Sequence, residues 1–359
     1  MIKVLQVIGS LNIGGAENMI VSWHEGINPN EFQFDYIVFN EENSDYKNRV
    51  EKINGRIFNL PSPTRNPFKF YRMLKEIQKQ YHYDILHAHT LFSNGIILKM
   101  AKHLGFKKRI SHSHSGKNRV KENAVTVAYG KWMQALIQQE ADVYLACSES
   151  AGNFLYGEAF FKQYGTLIEN AILAEAFTYK AELAQALKKQ YHLEDSIVIG
   201  MVARFHEVKN HTFMIEVLKS LVQIHPKYTL VLAGDGPLLH EIQAKVKDNH
   251  LEKHVLFLGM VNNVKELLNV FDVVVMPSFH EGFPLALLEA QANGVATMIS
   301  NAITQEVKLA DNLMHLPLEV DAWVSAIVNM QQSKRINHIL NTKYDLKTSI
   351  LKLEEIYRR

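Results

Sequence analysis

Short apolar runs closed by polar turns, each followed by a stretch of helical period, recur along the first half of this chain. Lys3–Ile8, Phe34–Phe39, Arg56–Leu60, Asp84–His87, Arg109–Ser113, Asp142–Cys147 and Thr166–Glu169 read as strands. Parallel strands buried on both faces show such near-continuous apolar runs. Helical periodicity fills the intervals: from Gly15 through Trp23, over Pro67–Gln80, Asn94–Leu104 and Asn123–Gln139. Strands alternating with helices of this length predict a parallel sheet with covered faces. Ligands of such sheets bind beyond the carboxyl ends of the strands.

After Asn170-Ala171-Ile172 comes a polar segment and a helix, Ala181–Gln190, which read as a connection between domains. From Ser196 the rhythm restarts. Strands are expected over Ile197–Val202, Thr229–Ala233, Val255–Leu258 and Asp272–Met276, with helices from Asn210, over Gly236–Lys247 and near Val264–Val270. The second domain reads as complete before the last residues of the chain. A further amphipathic helix over Tyr344–Arg359 lines up Leu346, Ile350, Leu353, Ile356 and Tyr357 and must pack somewhere. The expected fold class is α/β, two tandem Rossmann-like doubly wound domains.

Composition narrows the function classes. A chain of 359 residues exceeds one ordinary core, which agrees with two domains. A formal net charge of +2 argues against a dedicated nucleic-acid binder. The single cysteine, Cys147, excludes an internal disulfide and fits a reducing cytoplasm. No stretch approaches the roughly 18–20 apolar residues that span a bilayer, and the chain runs from Met1 straight into a strand, with no leader pattern. A cytoplasmic protein is expected, soluble or peripheral at the inner face of a membrane. Lys107, Lys108, Arg109, Lys117, Arg119 and Lys121 form a basic cluster that suits an anionic membrane or a phosphate-bearing acceptor, or is simply a solvated face.

Four stretches carry candidate chemistry. In Ser278–Gly294, Gly282 permits a sharp turn and Pro284 suits the first turn of a helix. The free N–H groups at that helix start form an anion site, bracketed by Glu281 and Glu289. The bland alternative is a capped helix with two solvated glutamates. In Ala203–His211, Arg204 follows a strand and Lys209 starts a helix; two cations there suit a diphosphate, or form a surface ion pair. Gly14 and Gly15 open the first helix and allow close backbone approach. They do not form the G-x-G-x-x-G fingerprint, and no acidic residue ends the next strand, which disfavours a dehydrogenase. Finally, His87 and His89 end one strand and His112 and His114 another. No Asp, Glu or Cys joins them at ligand spacing, so no metal is expected. They read as polar cleft contacts, with His114 nearest the reacting centre and His89, His112 and Lys117 on the acceptor side; satisfied loop histidines are the alternative. Gly234-Asp235-Gly236-Pro237 reads as a structural turn, and the backbone at Gly259 and Met260 as a seat for a flat base.

Together, Gly14-Gly15-Ala16-Glu17, Arg204 with Lys209-Asn210-His211, Gly234-Asp235-Gly236-Pro237, and Glu281 to Glu289 with seven residues between resemble glycosyltransferase family 4, over essentially the whole chain. Ser300–Leu318 is also similar to members that build bacterial exopolysaccharide or capsule. The resemblance implies the GT-B fold, with two domains facing a cleft: 1–170 plus the terminal helix 346–359, which crosses back, on the acceptor side, and 171–345 on the nucleotide-sugar side. It implies a retaining hexosyltransferase using a nucleotide-sugar, by family habit a UDP-sugar, and a glycan or undecaprenyl-linked acceptor. It further implies that Gly15 lies against the donor diphosphate, Arg204 and Lys209 neutralise it, and backbone amides near Phe283–Leu285, around Pro284, bind its distal phosphate. Glu289 would hold the ribose, Glu281 a sugar hydroxyl, and His114 the reacting carbon. One departure is Ala171 where the family has glycine, costly if that position needs positive φ. The sequence has no Asp-x-Asp, so metal independence is expected. A sugar-nucleotide epimerase, a phosphorylase and a degenerate glycan-binding protein are the competing readings; no lysine is identified for the phosphorylase's pyridoxal Schiff base.

Overall fold

The computed structural model describes residues 1–12, 14–39, 44–116, 124–281, 284–304, 308–331 and 334–359. The chain divides into two compact units, Met1–Ala171 with Leu346–Arg359, and Ile172–Asp345.

The first unit is built on seven parallel strands: β1 Ile2–Val7, β2 Phe32–Val38, β3 Ile57–Asn59, β4 Ile85–Ala88, β5 Lys108–Ser113, β6 Val143–Ala146 and β7 Gly165–Leu167. Their order is β3-β2-β1-β4-β5-β6-β7, so the winding reverses between β1 and β4. Alternate strand residues point to opposite faces. Val4, Phe34 and Tyr36 meet Ile20 and Trp23 of the Gly15–Gly26 helix on one face, together with Leu346, Ile350, Leu353 and Tyr357. Leu5, Val7, Ile37 and Leu86 meet Phe70, Leu74, Ile97 and Tyr156 on the other. The Leu346–Arg358 helix is therefore part of this unit's core, and Trp23 Nε1 donates to Ser349 Oγ at 2.9 Å to fix its register. Two short helices that the sequence pattern does not reveal, Glu149–Tyr156 and Glu158–Tyr164, cover the β6–β7 edge.

The second unit has six parallel strands: β8 Ile197–Val202, β9 Tyr228–Ala233, β10 Val255–Gly259, β11 Val273–Met276, β12 Ala296–Ser300 and β13 Leu313–Leu316. Their order, β10-β9-β8-β11-β12-β13, again reverses beside the first strand, between β8 and β11. β12, β13 and the Val320–Val328 helix, elements that the sequence reading did not single out within 171–345, complete the unit, with Trp323 fully buried. The segment read as a connection is also packed. Ile172 and Ala174 are buried with Leu288, Ala292, Ile339 and Tyr344. Ala171 has no positive φ, so the alanine in place of glycine strains nothing. Among the described residues no helix is long and apolar enough to cross a membrane.

Candidate active site

In the second unit the predicted donor residues gather at the carboxyl ends of β8 and β11, beside the reversal in strand order. The Leu285–Asn293 helix is held on two faces. Leu288 and Ala292 pack on Ile172 and Ile339, and Leu287 packs on Met276, Ile299 and Leu313. Pro284 is its N-cap, with ψ 108°, rather than a first-turn residue as the sequence suggested. Its carbonyl accepts the first bond of the helix, from Leu287 N–H at 3.0 Å, while its own backbone stays extended. Leu285 and Ala286 thus start the helix, and their N–H groups have no intrahelical acceptor. Gly282 and Phe283 lie outside the described residues.

The loop after β8 is tied to the loop after β11 by Phe279 N–H donating to Val208 O at 2.9 Å. Lys209 Nζ stands 2.5 Å from Glu281 Oε1, which also accepts from Ser278 Oγ at 2.7 Å. The expected phosphate cation and the expected sugar-binding carboxylate are therefore bonded to each other. Arg204 differs: it is exposed, directly follows β8 and has no side-chain partner among the described residues. Its backbone is clamped by the Gly234–Pro237 turn. Phe205 N–H donates to Asp235 O at 3.0 Å, and Gly234 N–H to Gly259 O at 2.7 Å. Glycine is required at both Gly234 and Gly236. Each has positive φ, 145° and 157°, and an added Cβ would lie 2.1 Å from Ala203 O and 2.4 Å from Phe205 O. The turn thus carries the weight of placing Arg204, a role that spacing alone does not announce. Gly259 has φ 63°, and Met260 beside it is exposed. Glu289, one turn into its helix, has no hydrogen-bond or ionic partner among the described residues. Burial pushes its carboxyl up to about 7.

In the first unit Gly14 caps the Gly15–Gly26 helix beyond β1 in extended conformation, and a Cβ at Gly15 would meet nothing within 4 Å. That space is open to a ligand. The four histidines form one buried block in two hydrogen-bonded pairs. His87 Nε2 is 3.2 Å from His112 Nδ1, and His89 Nδ1 is 2.8 Å from His114 Nε2. The pairs stack, with His87–His89 and His112–His114 ring centroids 4.1 and 4.3 Å apart. His87 Nδ1 also meets Tyr357 Oη at 2.8 Å, and His89 Nε2 meets Gln6 Oε1 at 2.8 Å. Burial lowers all four rings, His114 to about 4, so each is neutral near pH 7. One nitrogen each of His87, His89 and His112 lies within 4.8 Å of the others, close enough to surround an ion. All the nitrogens of these three rings except His112 Nε2 are, however, spent on one another, on His114, on Tyr357 and on Gln6. Gln6 and Tyr357 were not among the residues singled out from the sequence; only the sheet register, which sets Gln6 opposite His87, and the docked terminal helix bring them in. Lys117 lies outside the described residues.

Comparison with known proteins identifies relatives along the whole chain. Residues 13–171 match the family described as Glycosyltransferase Family 4, and residues 184–315 match Glycosyl transferases group 1. EpsF of Bacillus subtilis (strain 168), designated a glycosyltransferase, is 34% identical over 340 residues, covering 93% of this chain and 88% of EpsF. The UDP-Gal:alpha-D-GlcNAc-diphosphoundecaprenol alpha-1,3-galactosyltransferase of Escherichia coli is 26% identical over 325 residues, 86% of this chain and 83% of its own. Among solved structures, Anabaena Alr3699/HepE in complex with UDP matches with a TM-score of 0.80 over 100% of both chains, at 17% identity, which shows a shared fold.

Proposed function

The chain belongs to glycosyltransferase family 4, with the GT-B fold and of the bacterial polysaccharide type, and from this we propose that it transfers a sugar from a UDP-sugar to a glycan or undecaprenyl-linked acceptor, with retention and without a metal ion. The observation that carries the proposal is Arg204, whose guanidinium has no partner among the described residues and whose backbone is held beyond β8 by a glycine turn. When the bond from sugar to diphosphate breaks, negative charge grows on the leaving phosphate. An enzyme accelerates this step by binding that charge more tightly in the transition state. Arg204 offers two parallel N–H donors to phosphate oxygens. The N–H groups of Leu285 and Ala286, at the positive end of their helix, offer more. Lys209 adds to the field less than an unpaired lysine would, because Glu281 already balances it at 2.5 Å. The four neutral histidines supply no charge to the leaving group.

The absence of an Asp-x-Asp pair anywhere in the sequence supports metal independence. Retention follows if the acceptor hydroxyl attacks from the departing face and the leaving phosphate takes its proton; no carboxylate stands among the hydrogen-bond partners of the histidine block to act as a nucleophile. Uridine and the lipid-diphosphate acceptor are favoured by the galactosyltransferase relative, whose name specifies both for that enzyme. Peripheral contact with the inner membrane face would bring such an acceptor within reach.

A thermal-shift screen with UDP, GDP, ADP, CMP and UDP-sugars, each with Mg²⁺ or EDTA, tests the donor site, because ligands that bind the native state raise the melting temperature. The expected result is a UDP shift that survives EDTA and disappears in Arg204→Ala. The same variant should lower turnover by about 10²–10³. Conversion of a UDP-sugar to its epimer without acceptor would replace the transferase reading, and no shift with any nucleotide would remove the donor site.

A further inference from the structure

Gln6, fully buried on β1, bonds His89 of one histidine pair directly and reaches His87 of the other through the Tyr357 hydroxyl. Its Nε2 donates to Tyr357 Oη at 3.2 Å, and its Oε1 faces His89 Nε2 at 2.8 Å. The protons can then be placed in sequence. An amide oxygen only accepts, so His89 carries its proton on Nε2. His89 Nδ1 is then an acceptor, and His114 donates to it from Nε2 at 2.8 Å. His114 Nδ1 is left as a bare lone pair. On the other branch the amide N–H occupies Tyr357 Oη, so the phenol proton goes to His87 Nδ1 at 2.8 Å. His87 then donates from Nε2 to His112 Nδ1 at 3.2 Å, leaving His112 with an N–H at Nε2. Both branches end on His114 Nδ1 and His112 Nε2, the two nitrogens of this block without a partner among the described residues, and they do so for either direction of the proton order. Turning the Gln6 amide by half a revolution reverses every proton, and all four rings would carry Nδ1–H instead.

We propose that Gln6 is a positioning residue that orders the protons of this tetrad, holding His114 as the Nε2–H tautomer with a bare Nδ1 and giving His112 a free N–H. A bare imidazole nitrogen accepts from a hydroxyl and repels a phosphate oxygen. His114 Nδ1 is closed to solvent in this structure, so a ligand group meeting it must open the site, and it must be a donor such as the hydroxyl of a sugar or acceptor. Only this last step rests on the transferase reading; the order of the protons does not.

Two-bond ¹⁵N–¹H correlation spectra of ¹⁵N-histidine-labelled full-length protein at neutral pH, without substrate, read the tautomers directly. In the wild type His87, His89, His112 and His114 should all be Nε2–H. Gln6→Glu places an acceptor against both neighbours. Tyr357 then turns its proton to the carboxylate, and His87 and His112 switch to Nδ1–H while His89 and His114 stay as they were. Tyr357→Phe should average the His87 and His112 signals and spare the other pair. Nδ1–H on His89 or His114 in the wild type overturns the proposal, and that spectrum decides even if the variants fail to fold. So does an unchanged His87–His112 pair in folded Gln6→Glu. In turnover, Gln6→Leu should lower kcat with donor KM retained; unchanged kcat alongside averaged tautomers would remove the positioning role. A wild type that moves no sugar bears on the proposed function alone, since the spectra contain no substrate.

Discussion

A carboxyl group that titrates near pH 7 makes folding and ligand binding depend on pH in opposite directions, and Glu289 is such a group, raised by burial from 4.5 to about 7. Below about pH 4.5 the folded and unfolded chains both hold the proton. Between there and about pH 7 the unfolded chain has released it and the folded protein has not, so stability falls as pH rises. Above that window Glu289 lowers stability by about 3 kcal/mol. Glu289→Gln should remove this slope, so urea midpoints at pH 5 and pH 8 should show the variant gaining on the wild type by up to about 3 kcal/mol at the higher pH. Ribose hydroxyls donating to the carboxylate favour its charged form. UDP affinity in the wild type should then rise about tenfold from pH 6 to pH 8 by calorimetry, and Glu289→Gln should lose that rise. A pH-independent affinity in the wild type would detach Glu289 from the nucleotide. The sequence placed Glu289 on its helix; it could not show the missing partner, because desolvation depends on what packs around a side chain. The histidines are the sharper case. Their location at strand ends was legible, yet their pairing depends on cross-strand register, and their proton order on residues 6 and 357, at opposite ends of the chain.

Most central strands were legible because burial on both faces forces an apolar run; β12, Ala296–Ser300, was missed, its run being broken by the buried polar Thr297 and Ser300. β13, Leu313–Leu316, was missed too: it is an edge strand of four residues carrying His315 and a half-exposed Met314. The six-residue Lys47–Lys52 helix escaped for a related reason, being too short to show a helical period. Turns divide in the same way. The Gly234–Pro237 turn was recognisable as tight, but only contact with the β8 exit shows what it does. Gly234→Ala should cost about 3 kcal/mol or more, from a positive φ plus a Cβ driven into the Ala203 carbonyl. It should also abolish the UDP thermal shift by moving Arg204, although residue 234 itself contributes no side chain. Gly15→Ala is the contrasting test. Its φ is not positive and its Cβ would meet nothing within 4 Å, so stability should change by less than about 0.5 kcal/mol. If the donor diphosphate lies against that backbone, UDP-sugar affinity should nonetheless fall. Retained affinity in Gly15→Ala would place the diphosphate elsewhere.

Two doubly wound units in tandem were legible at the scale of the whole chain, since the strand–helix rhythm stops and restarts. The home of the terminal helix was not: an amphipathic face states that the helix must pack, and only resemblance to the family said where. In the structure Leu346, Ile350, Leu353 and Tyr357 are core residues of the first unit, although 174 residues of the second unit (172–345) separate them from the rest of it. The three tryptophans make this testable. Trp23 is fully buried in the first unit against Ser349, Trp323 is fully buried in the second, and Trp132 is largely exposed. With Trp132→Phe as background, adding Trp323→Phe leaves Trp23 to report the first unit, and adding Trp23→Phe leaves Trp323 to report the second. Leu353 is completely buried, so Leu353→Ala should cost about 2–5 kcal/mol. The Trp23 transition in urea should move to lower concentration by that amount, and the Trp323 transition should stay in place. The Trp23 change should also arrive with loss of the ordered histidine signals, because Tyr357 is carried by the same helix as Leu353. Equal displacement of both tryptophan transitions would instead mean that the two cores unfold as one cooperative unit, and that this helix stabilises the protein as a whole.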